Sequence, residues 1–399
     1  MEKNKNINKL MKKYIKNNII KKLVKKLKNT NDVRKKRRIL NQYRRILKSF
    51  DETLVYACEN GYTDIVDLLL KNSTTIDLVY ACENGYTDIV KLLLKNSTID
   101  VNYLNKYDTP LILACRKGHT DIVRLILQHP DTNINFANEW GWTALLWASG
   151  EGHTDIVRLL LKHLDINIDH VNEHGKTALL YACEEGHTNV VELLIAHGAN
   201  FNHADNDGET PLILACENGR ADCLKLLLEQ SNINLNHAHK FGKTALMVAS
   251  NTGKFDCVEL LLKQSNINVN HIDIRGWTAL IFASHNGYAD IVELLLNNSN
   301  IDLSNANEDG KTALSCASHY DHADIVNMIK EYEYKKKIKI ALRNTSDNDV
   351  CCICLESFKD SKEEDVKIIC SNIHLYHKKC IDEWLKNNDN CPMCRQKCN

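Results

Sequence analysis

Between residues 51 and 331, apolar positions come in paired short runs separated by polar breaks. In one unit Leu145, Leu146 and Ala148 mark the buried stripe of a first helix, and Ile156, Val157, Leu159, Leu160 and Leu161 mark that of a second. The spacing is helical, and the shortness of each run predicts two amphipathic helices rather than one. The pair recurs. LVYACENGYTDIV fills 54–66 and, unchanged, 78–90, and related copies open at Thr109, Thr143, Thr177, Thr210, Thr244, Thr278 and Thr312. The central alanines, from Ala57 and Ala81 to Ala317, step by 24 once and then by 33 or 34, giving nine predicted helix pairs.

The breaks carry their own chemistry. A glycine between the two helices, Gly152 and its counterparts, suits the left-handed turn that reverses the chain. In the last unit Asp321 stands there instead. Asp207-Gly208 and Asp309-Gly310 predict hairpin turns between units. The threonine opening each first helix can cap its free amides. His119, His153 and His187, in GHT turns, are expected to hydrogen-bond within the turn rather than bind metal.

Helical spacing also marks residues 1–50, with Ile7, Leu10, Met11, Tyr14 and Ile15 on one face and lysines on the other. This segment holds 19 Lys/Arg against 2 Asp/Glu, while the remainder holds 32 against 49, so a net charge of zero hides a basic arm on an acidic body. Arg34–Arg38 fits a nuclear import signal, and the arm as a whole fits an anionic partner, either a membrane surface or nucleic acid. A helical cap over the first repeat is the alternative. No apolar run is long enough to span a membrane, and no secretory leader is evident, so the expected setting is the cytoplasm or nucleus. Of the sixteen cysteines, eight sit singly among apolar repeat positions, as buried reduced thiols would. Residues 332–349 extend the last helix and then turn polar, which predicts a short flexible linker.

The other eight cysteines crowd into the last fifty residues, interleaved with histidines. Cys351/Cys354, His377/Cys380 and Cys391/Cys394 share a two-residue spacing that places both ligands on one side of a tight turn, and Cys370/His374 is spaced by three. Tetrahedral zinc requires such pairs, and eight ligands make two sites. Cys352 is wrongly spaced from Cys354 to serve, and Cys398 is expected to be a free thiol.

The repeats resemble the ankyrin family over about 280 residues. Its usual histidine after T-P-L-x is absent, replaced by Leu113, Trp147, Tyr181, Leu214, Val248, Phe282 and Cys316. The resemblance implies a mostly α ankyrin-repeat solenoid, a binding scaffold with a concave face of fingers and first helices. Trp140, Trp142, Phe241, Arg275 and Trp277 lie at or near predicted finger tips and are candidate contacts for a protein substrate, or else pack against the next finger.

Residues 350–396 resemble the RING finger family in its two-histidine form. The related PHD finger, with a tryptophan two residues before the last cysteine pair, fits poorly because Trp384 lies seven before Cys391. The resemblance implies a cross-braced domain with two structural zinc ions. Cys351, Cys354, His377 and Cys380 would hold the first, and Cys370, His374, Cys391 and Cys394 the second. It also implies a groove for a ubiquitin-conjugating enzyme at Ile353, Trp384 and Pro392, with Arg395 contacting that enzyme and its ubiquitin. The implied activity is RING-type ubiquitin ligation by positioning, without a catalytic side chain. An adaptor whose zinc module only mediates assembly is the alternative. The Asn-, Ile- and Lys-rich texture resembles that of proteins from AT-rich genomes, and the repeats resemble those of large DNA (giant) viruses and of some protists; a viral source would place the chain in a host cell.

Overall fold

The computed structural model describes residues 78–95, 99–104, 107–344, 351–354, 357–358, 361–368 and 374–394, with Lys22, Lys25 and Lys26. The first repeat copy and the rest of the basic arm lie outside the described residues. The chain divides into two compact units, Met1–Ile233 and Asn234–Asn399.

In the first unit the helix pairs are α1 (Leu78–Glu83) and α2 (Thr87–Leu93), α3 (Pro110–Arg116) and α4 (Thr120–Leu127), α5 (Ala144–Gly150) and α6 (Thr154–Leu160), α7 (Ala178–Glu185) and α8 (Thr188–Ala196), and α9 (Pro211–Glu217) and α10 (Ala221–Leu228). First helices pack on first helices and second on second, so the apolar stripes merge into one core. Leu145, Leu146, Ala148, Ile156, Val157 and Leu160 are all fully buried, each large side chain gaining about 1.5–3 kcal/mol from leaving water. Among the described residues seven repeat cysteines, Cys82 to Cys316, are buried and form no disulfide, and burial pushes the thiols of Cys115 and Cys183 far up.

The second unit holds α11 (Ala245–Thr252) and α12 (Phe255–Leu262), α13 (Ala279–Asn286) and α14 (Ala289–Leu296), and α15 (Ala313–His319) and α16 (Ala323–Arg343). Beyond them β1 (Val366–Ile368) pairs antiparallel with β2 (Leu375–His377), Lys367 opposite Tyr376, and α17 (Lys378–Leu385) follows.

The capping expected at each threonine is present. Thr109, Thr143, Thr177, Thr210, Thr244, Thr278 and Thr312 each accept the amide three residues on, at 3.2 to 3.5 Å. The turn glycines have positive φ, and Asp321, at φ 59°, adopts the same conformation with a side chain.

The turn histidines differ from expectation. His119, His153 and His187 bond not within their own turn but to a carbonyl of the preceding repeat, Glu83, Arg116 and Gly150 respectively, at 3.2, 3.3 and 2.9 Å. The imidazole reaches back because it lies over the preceding turn glycine. A Cβ on Gly152 would stand 2.6 Å from the His187 ring. Gly152→Ala is therefore expected to cost about 1–3 kcal/mol, from backbone strain and this clash. His187→Ala should cost about 1 kcal/mol. In denaturant melts the double change should cost less than the sum, because the second substitution removes the clash created by the first.

A second inter-repeat device is an asparagine ladder. Asn135 donates to the Asp165 carbonyl and accepts the Asn167 amide, and Asn102, Asn236 and Asn270 do the same one repeat on. Each side chain thus satisfies two backbone groups that an irregular loop would leave to solvent.

Helix α16 runs past the last repeat. Residues 332–343, expected to extend the last helix, are helical, and Ile338 is buried. Its neighbours are Cys351, Phe358, Val366, Tyr376, Ile381 and Cys391, so this one isoleucine of a lysine-rich turn is part of the C-terminal core. The Tyr334 hydroxyl also accepts the Ile368 amide at 3.2 Å. Residues 345–350 lie outside the described residues.

Candidate metal centre

The two strands and α17 gather the cysteines and histidines of the C-terminal segment into two groups. Cys351 and Cys354 come from the turn before β1, His377 ends β2, and Cys380 lies in the first turn of α17. Their ligand atoms all lie within 4.8 Å of one another, and Cys354 Sγ is 3.2 Å from His377 Nδ1. The second group joins His374, just before β2, to Cys391 and Cys394, with His374 Nδ1 3.4 Å from Cys391 Sγ. Cys370 and Arg395 lie outside the described residues. Exposed Cys352 takes no part in either group.

These donor sets fit zinc. Metal–ligand bonds of about 2.0–2.3 Å in a tetrahedron set ligands about 3.3–3.8 Å apart, close to the spacings present. Burial opposes ionisation of Cys391, but the Tyr376 hydroxyl, the Cys394 amide and His374 outweigh it and bring the thiol down to about 6. Burial likewise opposes charge on Cys351, and the amides of Cys354, His377 and Ile353 overcome it. Cys380 is pushed up to about 12 by burial and by the crowding of Cys354 and Cys351. A dication among these sulfurs would reverse that last effect and release the proton.

Groups around the ligands orient them, and the sequence reading had not singled them out. Ser361 Oγ lies 3.1 Å from His377 Nε2, leaving Nδ1 to face the cluster. Tyr376 is fully buried between the two histidines. Its hydroxyl lies 3.0 Å from Cys391 Sγ and accepts the Met393 amide. Its place between His374 and His377 was the only available signal.

Ile353 and Trp384 pack half-buried against this core, with the indole donating to the Asn390 carbonyl at 3.0 Å. Pro392 is half-buried and the neighbouring Met393 is exposed.

The repeat candidates separate by environment. In the first unit Trp140 is partly exposed beside Tyr107, whereas Trp142 stacks between Trp147 and Tyr181 at 4.1 and 4.7 Å. In the second unit Phe241 is exposed, Arg275 pairs with Glu308 at 2.7 Å, and Trp277 stacks on Phe282.

A family described as "Ankyrin repeats (3 copies)" matches in overlapping windows from residue 10 to 340. A second, described as "Ring finger domain", matches 349–395. The chain is an ankyrin-repeat protein with a C-terminal RING-H2 finger.

The relatives of this ankyrin–RING-H2 chain match it through the finger. RING-H2 finger protein ATL16 of Arabidopsis thaliana is 53% identical over 45 residues, 11% of this chain and 12% of that protein. E3 ubiquitin-protein ligase RNF128 of Xenopus laevis is 45% identical over 49 residues, 12% of this chain and 11% of that protein. The match therefore spans about an eighth or less of these two curated relatives. Among solved structures, the human ASB11 ankyrin repeat domain is 27% identical, with 52% of this chain and 91% of that one covered at a TM-score of 0.48. The paired Cys/His clusters of the RING-H2 finger are those of two zinc sites. No helix among the described residues is long and apolar enough to cross a membrane.

Proposed function

We propose that the chain is a RING-type ubiquitin ligase. The repeats hold a protein substrate, and the RING-H2 finger holds a ubiquitin-conjugating enzyme charged with ubiquitin. The observation that carries this reading is that Ile353 and Trp384 are both half-buried and both pack against the metal-centre core. Such a surface offers a partner area on a rigid base. Its similarity to the finger of a protein named as an E3 ubiquitin-protein ligase supports the choice of partner.

The two zinc ions, when bound, supply structure and not reaction chemistry. Cys351, Cys354, His377 and Cys380 hold one, and His374, Cys391 and Cys394 with Cys370 hold the other. The Trp384–Asn390 bond fixes the indole, so little side-chain freedom is lost on docking. Arg395 donates to the conjugating enzyme and its ubiquitin through a planar fork. Transfer to a substrate lysine is accelerated by orientation and preorganisation.

Buried repeat thiols that form no disulfide among the described residues support a reducing setting, the cytoplasm or nucleus. The basic arm takes an anionic partner; salt-sensitive binding that disappears when residues 1–50 are deleted is the expected result.

In autoubiquitination assays with the zinc-loaded full chain, Trp384→Ala and Arg395→Ala should each lower product formation at least about tenfold, with zinc content unchanged. Undiminished activity in both variants would contradict the proposed groove. No activity across a broad panel of conjugating enzymes would favour the adaptor reading.

A further inference from the structure

Helix α16 carries two apolar stripes, and only one of them is used by the fold. Ile338 and Leu342 pack into the C-terminal core, and Tyr334, four residues before Ile338, accepts the Ile368 amide through its hydroxyl. Met328, Tyr332, Lys336 and Ile340, also four apart, are offset from that set by two residues, about 160° round a helix of 3.6 residues per turn. This second stripe, with Leu296 at the end of α14, lines a groove of about 590 Å³. Ile340 is 51% exposed in an otherwise basic stretch. The first stripe holds the wall of the groove from behind, so the second is presented on a fixed surface.

The wall is basic. Lys335, Lys336, Lys339 and Arg343 line the groove against Glu293 and Glu331, and Glu331 is paired with Lys335 at 2.8 Å. Lys339 and Arg343 also line an adjoining cavity, which adds Lys362 and Glu364. Residues 330–343 hold six Lys/Arg and two Glu, within a body from residue 51 onward that holds 32 basic against 49 acidic residues. Such a local reversal of sign selects an anionic partner. The anion could be phosphate or carboxylate, and the floor decides between them. Leu296, Met328, Tyr332 and Ile340 offer nothing to a phosphate backbone, and Glu293 with Glu331 would repel a continuous run of phosphates. A peptide with carboxylates and apolar side chains satisfies both wall and floor.

We propose that the groove between α14 and α16 docks an acidic segment of a partner protein. Its apolar side chains lie on Met328, Tyr332 and Ile340, and its carboxylates meet Lys336 and Arg343. The occupant is identified by this chemistry alone, whichever activity the finger has.

The test uses the zinc-loaded full chain at physiological salt and a twelve-residue peptide of glutamates with leucines at every third or fourth position. One leucine is replaced by a benzophenone side chain, and photocrosslinks are mapped by mass spectrometry. They should fall within residues 328–343. The peptide concentration that half-saturates this crosslink should rise about tenfold in Lys336→Glu/Arg343→Glu and about fivefold in Ile340→Ser. Lys330→Glu/Lys337→Glu makes the same change of charge at exposed positions that do not line the groove, and should shift it less than about twofold. The basic arm also attracts carboxylates, so crosslinks confined to residues 1–50 would overturn the proposal. Equal shifts in the two double variants, or none in Ile340→Ser, would overturn it as well. Displacement of the α16 crosslink by a twelve-nucleotide oligothymidine at lower concentration than by unlabelled peptide would make the groove a phosphate site and contradict the choice of partner.

Discussion

Chelation of zinc is expected to unfold residues 351–394 and leave the repeat helices folded. The C-terminal core consists of Cys351, Phe358, Val366, Tyr376, Ile381 and Cys391 with Ile338 from α16, and two of these seven are themselves ligands. So small a core cannot offset the conformational entropy of its loops. Structural zinc contributes roughly 10–16 kcal/mol of apparent binding energy per site in small domains. Without it Cys380 is pushed up to about 12, by burial first and then by the crowding of Cys354 and Cys351. Cys354→Ser should reproduce the effect at the first site. Far-ultraviolet circular dichroism should retain most of its helical signal after chelation, while the signals of Tyr376 and Trp384 in a nuclear magnetic resonance spectrum collapse to unfolded positions. A chelated chain with both signals unchanged would contradict zinc as the structural ligand.

Truncating Ile338 should destabilise the RING-H2 finger from outside its own sequence. Ile338 is 3% exposed although lysines flank it on both sides. Ile338→Ala leaves a cavity among Phe358, Val366 and Tyr376 and is expected to cost about 2–4 kcal/mol. The measurable consequence is faster zinc release to a chromophoric chelator, by roughly a hundredfold if the loss falls on the closed state. Lys337→Ala, at an exposed neighbouring position, should leave release unchanged. The same contact has a functional meaning. Because α16 begins in the last repeat and runs to Arg343, the helical extension expected for the first part of 332–349 carries Ile338 from the last repeat into the RING core.

The features legible in the sequence were those encoded locally. A threonine cap needs only the amide three residues away, and a turn glycine only its own φ. The ligand pairs of the metal centre announce themselves by spacing. Features written across repeats were harder to read. His187 looks like a turn residue until the next repeat is stacked, when its ring reaches the Gly150 carbonyl. The asparagines of the ladder look like ordinary loop residues because their partners lie about thirty residues away. Ile338 sits in KKKIKI, where no apolar period survives, and only the fold reveals Tyr376 and Phe358 opposite it. Trp142 and Trp277, placed near finger tips by sequence, lean onto first-helix rings because the family's histidine is replaced there by Trp147 and Phe282.

The most direct test of the account is a single-turnover discharge assay. A conjugating enzyme loaded with ubiquitin is mixed with free lysine and the zinc-loaded full chain, and loss of the thioester is followed. The account predicts discharge accelerated at least about tenfold over the enzyme alone, abolished by chelation and by Trp384→Ala. Discharge no faster than background with every enzyme tried, or acceleration that survives both treatments, would contradict it.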